Sequence, residues 1–434
     1  MLIKNNLKAL FGAALMLTVL LNGCAALQPA TPTPQPVTVN FAYDGKASDY
    51  QALADQFQKL NPGVTIKLTP ITSGEYRGLE GLTNTRADVI RWDASLMSSD
   101  TLPSLMKLDD ILAISSNFNR DDMVPGSLEA LQTQGAQYGI PAGINPVVMY
   151  ASPKHFAAAN VDLPTPGWNL DDLIAIGSKV NAQDGPLSDP NYAVGLCTQT
   201  FSYDPVVFTY LFGGNIFDRL PNPTQLTLNR PENINAVQWY ASLFTQYNIT
   251  PKLTDLQGVN TQVDTATLVQ VNKCALWIGF YSDLKNGSWG ANDENKPVML
   301  PLPKGKTTLN MDYMDGYFIS ATAKNPKVGW DWIAFLSNHP EAALGMIPPR
   351  ISQIKSAAFQ KAAGGSAAAV ANNLPPQIVV ISQRLGDYQF LGGAFRDYVQ
   401  AIQKVIQGSA TAQDALNQAQ DAADQAGTGT NSNP

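Results

Sequence analysis

The stretch that decides the fold is Val37-Thr38-Val39-Asn40-Phe41-Ala42-Tyr43, broken by Asp44-Gly45 and resumed at Ser48. Its alternation and its β-branched and aromatic residues read as a strand. Ser48 can cap a helix whose apolar positions are Tyr50, Leu53, Ala54, Phe57 and Leu60, at helical spacing. Asn61-Pro62-Gly63 stops that helix, and Val64-Thr65-Ile66-Lys67-Leu68 is a second strand. Strand, helix and strand in this order form a βαβ unit and predict a parallel sheet. Outward from it, Ala87-Asp88-Val89-Ile90 is a third strand that ends in Arg91-Trp92-Asp93. Val147-Val148-Met149-Tyr150, Cys274-Ala275-Leu276-Trp277-Ile278 and Phe318-Ile319-Ser320 are further strands. Helices open at Trp168-Asn169-Leu170, at Pro231 and at Pro326. A late helix carries Phe395, Tyr398, Ile402 and Val405, and an Ala-rich one runs from Gln413 to Ala426. The fold class is therefore α/β throughout, without internal repeats.

The chain has 434 residues, which suits two or three domains rather than one core. Apolar residues make up 44% and charged residues 15%, a folding composition and not that of a long exposed coiled coil. The net charge of −7 argues against a general nucleic-acid binder, which needs a basic surface. Two histidines, His155 and His339, and three cysteines exclude multi-ligand zinc modules, so no metal and no cofactor are expected.

Residues 1–23 read as a leader: Lys4 and Lys8 precede an apolar run from Ala9 to Leu21. A bilayer span takes roughly 20 residues, so the run is short for one. It ends in Leu21-Asn22-Gly23-Cys24, which resembles a bacterial lipobox with lipid attached at Cys24. Residues 24–36, rich in alternating Pro and Thr, form an extended tether between membrane and body. The body then begins near Val37 and lies outside the cytoplasm, lipid-anchored to the bacterial cell membrane. There Cys197 and Cys274 are either a disulfide or two buried free thiols.

Several segments in order resemble those of the extracellular solute-binding proteins of family 1, the maltose-binding-protein-like receptors of ABC importers. Phe57 to Val64 is similar to the family's helix-to-strand opening, and Ala87-Asp88-Val89-Ile90 to its Pro-Asp-Val strand, with Ala87 in place of Pro. Tyr138-Gly139-Ile140-Pro141 to Tyr150 resembles the first crossing between lobes, and Gly167 to Leu173 a helix start. Leu211 to Asp218, Lys273 to Gly279, Lys324 to Leu336 and Gly345-Met346-Ile347-Pro348-Pro349-Arg350 match later motifs. The resemblance implies a two-lobed periplasmic-binding-protein fold with discontinuous lobes, a hinge and a ligand cleft between them. One lobe takes 37–142 and about 316–365, the other 143–315 and about 366–434. It also implies a monomeric receptor that hands a carbohydrate, an oligosaccharide in the first place, to ABC permease subunits.

Ligands of open α/β sheets sit beyond the carboxyl ends of strands. That rule selects Tyr43 and Asp44, Trp92 and Asp93, Phe280, Tyr281 and Asp283, and Met314, Asp315 and Tyr317 before the 318–320 strand. Tyr203 sits in a loop, as does Trp289, and Arg350 matches the family's motif arginine. Trp277 inside a strand, and Trp330 and Trp332 on a helix, read as core. Aromatics beside carboxylates suit a sugar, which offers an apolar C–H face and a rim of hydroxyls. The competing readings are a sugar-binding sensor or adhesin lipoprotein and a secreted glycoside-active enzyme. The enzyme would need an acid/base carboxylate pair that no motif singles out. No nucleophile elbow, metalloprotease helix, Walker loop or dinucleotide fingerprint occurs either.

Overall fold

The computed structural model describes residues 36–71, 86–97, 101–199, 203–218, 225–251, 265–286, 296–307, 310–375, 378–380 and 389–429. The leader, Cys24, nearly all of the tether and Trp289 lie outside them.

Strands β1 (Val37–Asp44), β2 (Val64–Ile71) and β3 (Val89–Asp93) pair in parallel, with β1 in the middle. Helix α1 (Ser48–Leu60) makes the crossover and buries Tyr50, Leu53, Ala54 and Phe57. Ser48 does not cap it. Asp49, a residue further on, accepts the Lys46 amide at 2.7 Å instead. The third strand starts two residues later than the sequence pattern suggests and runs through Arg91, Trp92 and Asp93. A short hairpin, β4 (Gln132–Thr133) and β5 (Ala136–Gln137), precedes the long strand β6 (Gly139–Ala151).

The second half contributes α2 (Leu170–Val180), β7 (Val194–Cys197), α3 (Asp204–Leu211), α4 (Pro231–Thr245), β8 (Cys274–Phe280) and β9 (Val298–Leu300). Asn169 caps α2, accepting the amides of Asp171 and Asp172 while Asp172 accepts the Asn169 amide. That reciprocal pair satisfies donors that the helix itself cannot. Strand β10 (Asn310–Ile319) and helix α5 (Pro326–Ser337) return to the first half. Helices α6 (Ala357–Ala363) and α7 (Gly365–Asn372), strand β11 (Ile378–Val380) and helices α8 (Gln389–Ile406) and α9 (Ala412–Gly429) complete the chain, with shorter helical turns between. Gln420 of α9 accepts the Leu228 amide at 2.6 Å, and α8 and α9 pack on α4.

All the larger strands join one sheet in the order β2-β1-β3-β10-β6-β8-β7, with β11 beside β10 and β9 beside β6. Two long strands carry it from one half to the other. The start of β6 pairs with β10, and its end, from Val147 to Ala151, pairs with β8. Strand β10 pairs with β3 through Asp315–Ile319 and with β11 through Asn310–Asp312. Ile347 adds a third crossing by bridging to Ile144.

Alternation along these strands, shifted by one residue in β6 where it faces the Asp315–Gly316 step, sorts the core. On one face of the sheet, Phe41, Ile140, Tyr317 and Ile319 pack with α1 and α5. Val147, Met149 and Ala151 pack in a separate cluster with α3, α4, α8 and α9. On the other face, Ala42, Ile90, Met314, Phe318, Ile144, Tyr150 and Trp277 belong to one cluster that runs across both halves. Trp277, Trp330 and Trp332 are all buried core residues.

Cys197 and Cys274 are bonded, with Cα atoms 5.6 Å apart. They tie segments 77 positions apart, so loss of the bond frees a long loop in the unfolded chain. A Cys197→Ala/Cys274→Ala variant should lose about 2–4 kcal/mol in a urea titration, and adding reductant should then change nothing further.

Candidate functional site

The carboxyl ends of β1 and β3 carry Asp44 and Asp93, and the antiparallel β10 sets Asp315 opposite Asp93. Along β3 the side chains alternate, so Val89, Arg91 and Asp93 share one face while Ile90 and Trp92 share the other. Arg91 is 3% exposed, and its Nη2 donates to Asp315 Oδ2 at 2.9 Å. Nη2 also reaches the Ala343 carbonyl at 3.4 Å, and the guanidinium carbon lies 6.0 Å from the Tyr50 ring centre. Burial works against the Arg91 charge, but Tyr50, Asp315 and Tyr317 together raise its pKa and keep it protonated.

Asp44 and Asp315 are both pushed above the usual carboxylate range, first by burial and then by neighbouring carboxylates, with Arg91 pulling the other way. Asp93 acts on both. Arg91 thus pairs with Asp315 and acts on Asp44, with Asp93 close to both carboxylates, which makes the locus rich in acceptors for hydroxyl donors. Among the described residues no group of three His, Cys, Asp or Glu side chains could hold a metal ion.

Beside the carboxylates stands an aromatic group. Tyr313 lies two residues before Asp315 on β10, hence on the same face. Phe280, at the end of β8, meets its ring edge-on at 5.2 Å, and the Tyr203 ring, just before α3, lies 6.2 Å away. The Tyr203 and Tyr313 hydroxyls are 3.2 Å apart. Burial raises the Tyr313 phenol pKa, the hydrogen bond with Tyr203 adds to it, and Asp93 acts in the same direction. That last effect places Tyr313 within electrostatic reach of the carboxylates.

The structure thus gathers Asp44, Asp93, Asp315, Tyr203 and Phe280 from the sequence-derived set, and adds Arg91 and Tyr313. Other members of that set stand elsewhere. Tyr43, Met314 and Tyr317 are fully buried and offer no surface in this conformation. Tyr43 packs on Phe41 and Tyr50, and the Tyr317 hydroxyl reaches the Ala342 carbonyl at 3.4 Å. Met314 and Tyr317 do not precede a strand but lie inside β10, where alternate residues must enter the two cores.

Trp92 is half-buried and packs into the continuous core on the face opposite Arg91 and Asp93. Tyr281 belongs to that same cluster. Asp283 turns the chain after β8, accepting the Phe280 amide at 2.8 Å. Arg350 is a buried tie. Its Nε donates to the Ser337 carbonyl at 2.9 Å and Nη1 to the Asn119 carbonyl at 3.0 Å, with Asp122 at 3.6 Å.

Arg91 had a legible signal, a charged residue inside a strand between apolar neighbours. Tyr313 had a weaker one, the alternation of Tyr313, Asp315 and Tyr317 around Met314, which becomes readable once β10 is known to begin at Asn310.

Removing one partner of a buried pair leaves an uncompensated charge. Arg91→Met should therefore cost about 3–5 kcal/mol in a urea titration, and the Arg91→Met/Asp315→Leu double variant should recover a large part of it. Burial also raises the Asp283 pKa, against the pull of the Phe280 amide. A carboxyl held protonated in this way stabilises the fold below the ordinary carboxylate range and loses that contribution as pH rises through its raised value. The stability difference between wild type and Asp283→Asn, which can still accept the Phe280 amide, should shift in favour of wild type as pH falls from 7 to about 4, the ordinary carboxylate value. Thermal melts across that range measure it.

Known proteins share the fold. Residues 44–343 match the family model described as bacterial extracellular solute-binding protein. The sugar-binding protein MalE from Xanthomonas citri is 16% identical, with a TM-score of 0.72 over 91% of this chain and 98% of its own. The cyclic alpha-maltosyl-1,6-maltose binding protein from Arthrobacter globiformis, also 16% identical, has a TM-score of 0.70 over 89% of this chain and 98% of its own. An ABC substrate-binding protein from Listeria monocytogenes in complex with cycloalternan, 16% identical, has a TM-score of 0.65 over 90% of this chain and 99% of its own. At such identities the likeness is one of fold, the two-lobed periplasmic-binding-protein architecture. With the family model covering most of its length, the chain belongs to the bacterial extracellular solute-binding proteins.

Proposed function

We propose that this protein is the carbohydrate receptor of an ABC importer, held outside the cytoplasm by lipid on Cys24 and delivering an oligosaccharide to permease subunits. The observation that carries this reading is the meeting of Asp44, Asp93 and Asp315 with Tyr203, Phe280 and Tyr313 where the two halves of the sheet join. Carboxylates accept the hydroxyl rim of a sugar and flat rings cover its C–H face. The sugars named with the structural neighbours support the same class.

In this reading the lobes comprise 37–142 with about 316–365, and 143–315 with about 366–434. The packing of α8 and α9 on α4, and of α7 on β9, supports the second grouping. Ligand captured between the lobes shifts an open–closed equilibrium by its better contacts in the closed form, which the permease reads. Among the described residues no helix is long and apolar enough to cross a membrane. In this reading attachment rests on the lipid. Several acyl chains on one cysteine suffice for that.

A thermal-shift panel of mono- and oligosaccharides, polyols, sugar phosphates, amino acids and metal ions tests the reading. Ligand at a hundred times its dissociation constant stabilises by about 2.7 kcal/mol, a shift of a few degrees. A sugar should give it, and Tyr313→Ala and Asp93→Ala should each weaken that sugar by about tenfold or more. A response to amino acids or phosphates alone overturns the carbohydrate.

A further inference from the structure

Next to the carboxylate locus lies a cavity of about 480 Å³ that the chemistry above does not use. Tyr281 and Leu284 form one wall, Met346 another, and Phe359, Ala362 and Ala363 of α6 a third. Met346 joins this cavity to the polar locus, because its sulfur lies 3.8 Å from Arg91 Nη2. The charged residues that line it, Lys285, Lys296 and Glu341, are exposed and stand at its rim. Among the described residues its lining contains no Ser, Thr, Asn, Gln or Asp side chain. A hydroxylated ring buried there would exchange water for few fixed partners among the described residues, the Tyr281 hydroxyl chief among them, which costs free energy. An apolar group would lose nothing. The flanking rings of Tyr281 and Phe359 and the thioether of Met346 favour an aromatic one. The alanines on α6 leave the space that larger side chains would fill.

Resting on the carbohydrate reading, we propose that this cavity is a subsite for the aglycone of an aryl glycoside, whose sugar sits on the carboxylates. The ligand class is then a glycoside with an aromatic substituent rather than a purely hydroxylated oligosaccharide.

Isothermal titration of the full chain with paired methyl and phenyl glycosides of glucose, galactose, mannose, xylose and maltose decides it. For the sugar that binds, the phenyl glycoside should bind about tenfold tighter than the methyl glycoside, the order expected for burying one aromatic ring. Ala362→Trp, a substitution on an exposed helix face, should bring that ratio to about one by filling the cavity, and Phe359→Ala should reduce it. A ratio near one in the wild type, or one that Ala362→Trp leaves unchanged, overturns the subsite while the carbohydrate reading stands. Absence of binding by every glycoside, with a response to another solute class, removes both.

Discussion

A guanidinium taken out of water at Arg91 has to be paired where it stands, and the carboxylate that pairs it, Asp315, arrives on a strand from far along the chain. Strand β10 therefore settles against β3 in the register that brings Asp315 to Arg91, with Gly316 opposite Trp92. A buried ion pair contributes little net stability, since desolvation offsets most of the attraction, but a mismatched register would bury both charges alone. Arg91 also bonds the Ala343 carbonyl, so the same side chain holds the 340–347 segment over the strand ends. Asp44 and Asp93 can sit close to Asp315 because that positive charge is among them.

The two faces of the sheet serve different ends. One carries a single apolar cluster across both halves, while the other carries two separate clusters. Arg91, Asp93, Tyr313 and Asp315 belong by alternation to the face where the core is divided. A polar locus is tolerated there, because it interrupts no continuous packing. The crossing strands β6 and β10, with the Ile144–Ile347 bridge, connect the halves through a few residues, which is the geometry a hinge requires.

Much of the scaffold was legible from the residues. The βαβ opening and the helices beginning at Leu170, Pro231 and Pro326 follow from local period, and all are present, although the cap read at Ser48 is not. Of the residues the strand-end rule selects, Asp44, Asp93 and Phe280 stand at the polar and aromatic locus, whereas Met314 and Tyr317 lie in the core, because β10 starts eight residues before Phe318 and takes in positions that read as a loop. Arg350, which the motif match alone left open between a cleft residue and a structural partner, is bonded to Ser337 and Asn119. The two cysteines allowed one pairing, yet only the approach of their backbones made the bond.

The sequence by itself determined the α/β class, the order of the elements and the residue types suited to a hydroxylated ligand. These depend on the period and chemistry of neighbours along the chain. Only the tertiary structure decided which face of each strand meets a cleft and which meets a core. Trp92 and Asp93 are adjacent in the chain and point to opposite faces, and Arg91 became part of a site only when Asp315 was folded against it. Such choices depend on partners distant in sequence, and local pattern does not encode them.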